Sequence, residues 1–510
     1  MGVVSILWVA HHALNHGYTG YQRIFEGAVF IVKLTPQSAQ IVTATAGVVA
    51  EHAEEITRTF YPDMFAAHPE LMRVFNKANQ AIGEQPKALA ASVVAYAVNL
   101  IDPDAPDFAP IMQRIAHKHV SLGIQAQEYT IVGHHLLKAV GTVLGDAVTP
   151  QVAAAWDEVY WLFACSLIAE EGKLYALGGT DPAHPWRPYR VVERFDDTDQ
   201  VFSLILAPVT GETPRHRTGQ YVAIAVDLPN GERQPRQYTI SSGPRGDALR
   251  VTIKRVYGED GHPNGQVSTW LHEHATPGTV LDVSQPAGDV VLDESDGPIV
   301  LVSAGIGITP VAAVLEDLSR RQPSRKVRLF HADRTHHDHA LYADLRRQVL
   351  AMDDATAQNW YEADAENAPT LHPARPGRMD LNDIDIPSEA QVFMCGPLPF
   401  MQEARQVLLA RASCPSTSTT RSSDRTCGHI TQTQRSSERP PRWSVQNPSP
   451  ALDRGRPSVT RHRSLIGRRA QAIASSGPAP SFSRRGSQLS DRAVRTAQRG
   501  RVALQAVMQN

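Results

Sequence analysis

Tyr61-Pro62-Asp63-Met64-Phe65, Pro69-Glu70-Leu71, Phe75-Asn76, Gln85 with Leu89 four residues on, and His119 in Ala116-His117-Lys118-His119 follow one another in an order that could serve a bound metal. Haem iron needs such a set: one imidazole as ligand, an aromatic ring against the porphyrin, and a polar group on the far side for dioxygen. On spacing alone His117, His134 and His135 are as available as His119. A lone helical histidine is most often a satisfied or exposed one. The plain alternative for Tyr61 is an ordinary core tyrosine with its hydroxyl on a backbone carbonyl.

Two further groups lie downstream. Arg236-Gln237-Tyr238-Thr239 follows a turn, Gly219-Gln220-Tyr221 opens an earlier strand, and Gly265-Gln266-Val267-Ser268 precedes a helix ending near His274. Arg-x-Tyr-Thr on a strand offers a guanidinium for a pyrophosphate, an aromatic for a flavin ring and a hydroxyl for ribityl oxygens. Small residues and Ser268 at a helix start add N–H donors and the helix dipole. Alone, Arg236 reads as a strand arginine on a solvated face. Farther on, Gly305-Ile306-Gly307-Ile308-Thr309-Pro310 lies between a strand and a helix, the context in which a glycine loop lets backbone approach phosphate. Cys395-Gly396-Pro397 follows another strand; a buried structural cysteine is the plain alternative for Cys395.

The elements that must position these residues change character twice. Thr35-Pro36 is a good Ncap–N1 pair, and helical periodicity then runs over Ser38–Ala50, Ala53–Tyr61, Pro86–Leu100, Phe108–His119, Ala126–Leu144 and Pro150–Leu177. Pro86 is tolerable only in a first turn, so it marks where its helix begins. The Gly178-Gly179-Thr180-Asp181-Pro182 breaker ends this all-α region. Val201–Ala207, Tyr221–Val226 and Leu249–Val256 are short, turn-bounded strands, which suggests an antiparallel barrel. From Pro298, buried-type strands at Ile299–Val302, Val327–His331 and Gln391–Met394 alternate with helices such as Pro310–Arg320, the pattern of a parallel, doubly wound α/β sheet. The domains expected are 34–178 (all-α), 186–292 (antiparallel β-barrel) and 297–413 (doubly wound α/β), flanked by a foreign-looking segment 1–33 and a disordered Arg/Ser-rich tail 414–510.

The helical stretch from about Thr43 through Tyr175 resembles the globin domain of bacterial flavohemoglobins, and the later motifs resemble the ferredoxin-NADP reductase module that follows the globin in that family. The order of the three units is more specific than any single motif. The resemblance implies His119 as proximal iron ligand and Tyr61, Gln85 and Leu89 as distal residues. It further implies Phe75 packed on the haem, Tyr129 and Glu171 bonded to the proximal histidine, and Lys118 among the cofactor-binding residues. A carboxylate behind an iron-bound imidazole pushes electron density to iron and favours activating dioxygen over storing it. FAD is implied at Tyr221, Arg236 to Thr239 and Gln266 to Ser268. NADH or NADPH is implied at Gly305 to Pro310, bordered by Cys395, Gly396 and Pro397. The implied activity is conversion of nitric oxide and dioxygen to nitrate with haem b, FAD and NAD(P)H. The rival readings are a haem-based gas-binding or sensing protein with an impaired reductase half, and a flavin reductase with an incidental globin.

Composition bounds the rest. The 510 residues carry 50 basic and 52 acidic side chains, but residues 411–510 hold 18 Arg, no Lys and 4 acids, leaving 32 basic and 48 acidic residues in 1–410. An acidic body is not built for nucleic acid. The tail's arginines show no period and no aromatic platform beyond Trp443 and Phe482, although such blocks can bind polyanions. Cys165, Cys395, Cys414 and Cys427 form no CxxC pair, which suggests a reducing compartment. Val3–Ala10 is too short to span a bilayer, so a cytoplasmic protein without a membrane span is expected, and a monomer.

The resemblance breaks at the C-terminus. Relatives end in a segment like His-x-Tyr-Glu-x-Phe-Gly-Pro whose aromatic covers the flavin, and it is missing here. Ser416 to Gly428 can be encoded by codons that, read one base earlier after a G, give Val-His-Glu-Tyr-Tyr-Glu-Val-Phe-Gly-Pro-Asp-Leu-Trp. A frameshift near Ser413 to Ser416 is therefore expected, making 416–510 out-of-frame translation.

Overall fold

The computed structural model describes residues 33–74, 84–258, 263–382, 384, 386–387 and 390–412. Segment 1–32, Phe75 and the tail from residue 413 lie outside the described residues.

Among the described residues, six α-helices come first: α1 (Pro36–Glu51), α2 (Ala53–Ala67), α3 (Glu84–Ile101), α4 (Ala109–Leu122), α5 (Glu128–Leu144) and α6 (Pro150–Gly178). Their ends follow from local chemistry. Thr35 accepts the Ser38 N–H ahead of Pro36, and Thr149 accepts the Val152 N–H ahead of Pro150. At the other end, Gly123 (φ +72°) and Gly179 (φ +59°) take the left-handed conformation, and the next residues' N–H groups reach back to the His119 and Tyr175 carbonyls. The helices bury one core that includes Phe60, Met64, Ala97, Ala116, Val159 and Leu167. By length and composition α6 could cross a bilayer, but Ala155, Trp156, Val159, Phe163 and Leu167 are buried in this core.

One expectation needs correction: Pro62 does not end its helix, because α2 continues to Ala67. Pro62 removes the N–H that would bond the Arg58 carbonyl, on a turn where Arg58 is exposed. The buried series Ile56, Phe60, Tyr61 and Met64 runs across the proline, and its packing outweighs the lost bond.

The second unit is a six-stranded antiparallel sheet built from β1 (Trp186–Asp196), β2 (Val201–Pro208), β3 (Tyr221–Asp227), β4 (Arg233–Thr239), β5 (Leu249–Lys254) and β6 (Val280–Ser284). The order is β4-β3-β6-β1-β2-β5, and an Ile240–Val251 bridge joins the two outer strands into a barrel. Alternate residues such as Phe202, Leu204 and Leu206, or Val222, Ile224 and Val226, fill its interior, and α7 (Gln266–His274) plugs it with Val267 and Leu271. β1 and β6 were not read from the sequence. β1 alternates, but a bulge at Val191/Glu193 breaks the pattern and exposes Val192.

The third unit is a parallel sheet of order β10-β9-β8-β7-β11, with β7 (Ile299–Ala304), β8 (Val327–Asp333), β9 (Ala355–Tyr361), β10 (Arg375–Pro376) and β11 (Gln391–Cys395). The helices are α8 (Ile308–Arg321), α9 (Tyr342–Leu350) and α10 (Leu398–Ala412). The chain runs outward from β7 through β8 and β9, then returns to β7's other side at β11. The crevice at the carboxyl ends of β7 and β11 is thus the topological switch point, where open α/β sheets bind ligands.

Candidate active site

The helical core brings three of the expected residues together. His119, in the last turn of α4, places Nδ1 2.8 Å from Glu171 Oε1 on α6 and 2.8 Å from the Tyr129 hydroxyl on α5. Tyr129 donates to the same carboxylate oxygen at 2.5 Å, and Tyr160 donates to the Tyr129 carbonyl at 2.5 Å. Burial and the Glu171 carboxylate both raise the Tyr129 phenol, so it stays a donor. With Nδ1 engaged as a donor to a carboxylate, Nε2 is the nitrogen left for a metal, and the ring is oriented and made more basic. This donor set fits haem iron.

Two of the three competing histidines are used elsewhere, and the third, His134, is exposed. His135 Nδ1 lies 2.6 Å from Asp63 Oδ2, and His117 Nδ1 accepts the Gly288 N–H at 3.0 Å. Tyr61 on α2 is buried, its ring stacked on Phe65 with centroids 5.8 Å apart, and burial raises its phenol so that it too remains a donor. Leu89 on α3 is half-buried against the same core. Gln85 is the second residue of α3, with its side chain outside the described residues, as Phe75 is entirely.

Between the helical unit and the two others lies a cleft with about 1030 Å³ of empty space, part of it open to solvent. Lys118, Tyr221, Gln237, Thr239, Pro310 and Cys395 line it. β3–β4 pairing sets Tyr221 opposite Thr239 and Val222 opposite Tyr238, which gathers the motifs that lie apart in sequence. Arg236 is steadied by bonds to Gln234 Oε1 and the Pro235 carbonyl, and burial disfavours its charge. Burial, then the nearby Arg236, push Lys118 down to about 8. Two neighbouring cations held in poorly solvated positions beside aromatic rings suit a flavin nucleotide's phosphates and ring.

The helix start at α7 works through its backbone. Gly265 supplies no side-chain cap, so the first N–H groups are left for an anion. The Ser268 hydroxyl is spent locally, donating to the Gly265 carbonyl and accepting the Val256 N–H. Gln266 is exposed and Val267 is buried.

At the switch point, Gly305 has φ +54° and Gly307 packs so tightly that a Cβ there would lie 2.3 Å from the Cys395 carbonyl oxygen. Thr309 donates to the Ile306 carbonyl and so stitches the loop to α8. Ile308 is buried in the core beneath the sheet. Gly396 sits against the Phe400 ring, Met401 N–H bonds the Pro397 carbonyl, and burial pushes the Cys395 thiol up to about 11. The loop at the start of a 14-residue helix fits a dinucleotide pyrophosphate.

Arg114, Ser121, Gly288 and Asp289 also border the cleft or contact its lining, and sequence reasoning missed them. The Gly288-Asp289 turn dipeptide was their only local signal.

A globin family model matches residues 58–166 and an oxidoreductase NAD-binding domain model matches residues 301–406. The flavohemoprotein of Bordetella parapertussis is 40% identical over 385 residues, covering 74% of this chain and 94% of the relative. That of Deinococcus radiodurans is 39% identical over 383 residues, covering 74% and 93%. The crystal structure of the flavohemoglobin from Malassezia yamatoensis, with bound FAD and heme, superposes with a TM-score of 0.67 at 33% identity over 74% of this chain and 96% of that one. With a globin unit joined to a reductase unit of the FAD- and NAD-binding kind, the chain belongs to the flavohemoprotein family of oxidoreductases.

Proposed function

We propose that this protein is an NAD(P)H-dependent nitric oxide dioxygenase that forms nitrate from nitric oxide and dioxygen. The observation that carries the reading is His119 braced by Glu171 and Tyr129, on a helix whose Lys118 lines the cleft next door. Haem would be held through His119 Nε2, FAD by Tyr221, Arg236 to Thr239, Lys118 and the start of α7, and the dinucleotide by Gly305 to Pro310. When bound, these groups supply dioxygen chemistry, the change from two-electron to one-electron transfer, and hydride.

The chain's own residues do the rest. Glu171 keeps a proton donor's partner behind the imidazole and raises its electron donation. Tyr61 presents a protonated phenol inside the helical core, a hydrogen-bond donor for a ligand bound there. Pro310 and Cys395 border the cleft from the nucleotide side and Tyr221 and Thr239 from the barrel side, so a nicotinamide and a flavin would share one cleft. The segments 1–33 and 414–510 have no part in this proposal.

Stopped-flow absorbance tests it. Full-length protein is mixed anaerobically with NADH or NADPH, then with dioxygen and nitric oxide. Flavin bleaching, followed by an oxygenated haem spectrum that nitric oxide returns to the ferric form, is expected. A haem spectrum with absent or unreduced flavin points instead to a gas-binding protein without its electron supply.

A further inference from the structure

The segment after β6 lines the cleft, and the helical unit holds it at two residues. Gly288 donates its N–H to His117 Nδ1 at 3.0 Å, and its carbonyl accepts from Gln220 Nε2 at 3.2 Å. The next residue, Asp289, accepts from Arg114 Nε at 3.2 Å and from the terminal guanidinium nitrogen at 3.0 Å. Only 15% of the Arg114 side chain and 11% of the Asp289 side chain are exposed. One residue earlier, Ala287 exchanges two backbone hydrogen bonds with Tyr221, both 2.8 Å. Gly288, at φ +120°, lies so close to the Tyr221 ring that a Cβ would come within 3.1 Å of it.

We propose that Arg114 and His117 are positioning residues for the flavin site: they hold the Gly288–Asp289 turn against Tyr221, so the helical unit completes the cleft of the barrel. This rests on the reading that the cleft takes FAD. Arg114 and Asp289 are 175 positions apart, and His117 and Gly288 are 171 apart, so no local chain geometry enforces the turn. Without α4 the turn would keep an unpaired carboxylate and an unpaired N–H in a poorly solvated place, which favours its displacement. The ring it supports would lose its fixed backing. A contact from Gln237 Nε2 to Ser121 Oγ, 2.7 Å, ties the facing strand to the same helix and aligns the opposite wall.

The test is fluorescence titration of FAD into flavin-depleted, haem-loaded full-length protein, with haem absorbance and melting temperature read alongside. Arg114→Glu is expected to weaken FAD about tenfold, the scale of one lost charge-assisted contact. Arg114→Glu combined with Asp289→Arg, which restores an opposite-charge pair, is expected to return affinity to within about threefold of wild type. His117→Leu should weaken FAD and His117→Asn, whose carbonyl can take the place of Nδ1, should not. Haem occupancy and melting temperature should stay level across the His117 pair. Unchanged FAD affinity in His117→Leu and Arg114→Glu would overturn the inference, as would equal losses in His117→Leu and His117→Asn. If Arg114→Glu fails to fold, the His117 pair decides alone. Wild-type protein that takes up no FAD would sink the flavin reading itself, a separate result.

Discussion

At the scale of single residues, the proposed dioxygen chemistry depends most on the carboxylate behind His119. Glu171 is buried, receives Tyr129 and faces Nδ1 on one oxygen, so its negative charge is brought to bear on the imidazole in a poorly screened setting. Glu171→Gln keeps the shape and removes the charge. It is expected to leave haem bound and to lower nitric oxide consumption about 10- to 100-fold, the range for lost partners of metal-bound histidines, as read with a nitric oxide electrode. The iron–histidine stretching band should fall in the same variant. The two described thiols should differ as well. Cys165 is exposed, whereas burial raises Cys395 to about 11 and holds it as the thiol. Iodoacetamide at pH 8 followed by mass spectrometry should label Cys165 well before Cys395; faster labelling of Cys395 would contradict its raised thiol.

At the scale of elements, α8 serves two roles. Its first turn closes the glycine loop, and its far side locks the nucleotide unit to the barrel. Thr218 donates to Asp317 Oδ2 at 2.6 Å, Arg321 donates to both Asp317 oxygens at 2.7 Å, and Arg245 Nε donates to Glu316 at 2.9 Å. Burial alone would raise the Asp317 carboxyl, but the Arg321 and Thr218 hydrogen bonds outweigh it and the net shift is downward. A depressed carboxylate contributes stability that is complete above its unfolded value, about 3.9, and is lost as pH falls through the lower folded value. Asp317→Asn should therefore cost about 1–3 kcal/mol near pH 7, as a lost charged hydrogen-bond partner does. The wild-type advantage should vanish in acid. Urea melts between pH 3 and 7 measure both, and an advantage independent of pH would refute the assignment.

Across the whole molecule, the units are not beads on a string. α4 carries His119 toward the helical core while its neighbouring residues reach into the cleft, so one helix reaches both candidate sites. The sequence also bears on the chain beyond α10. We propose that a frameshift near Ser413 to Ser416 replaced a family-like ending, and sequencing the DNA for residues 405–430 checks it. An alternative frame encoding Val-His-Glu-Tyr-Tyr-Glu-Val-Phe-Gly-Pro is expected; absence of such a frame removes the proposal. If that ending is restored by one-base correction, FAD should bind more tightly, since its aromatic would cover the ring.

What the sequence determined by itself was local. Thr35-Pro36 announced a helix start, Gly178-Gly179 announced a stop, and a glycine loop between strand and helix pointed to a nucleotide crevice, because caps and turns depend on neighbours within a few residues. His119, Tyr129 and Glu171 were picked out through family likeness, since their contacts span 10 to 52 positions and leave no periodic mark. Tertiary structure alone decided that His117 and His135 have other partners, that α2 continues past Pro62, and that a barrel turn closes on α4. Each of these depends on burial and on partners distant in the chain, which override local propensity when the packing energy exceeds the local cost.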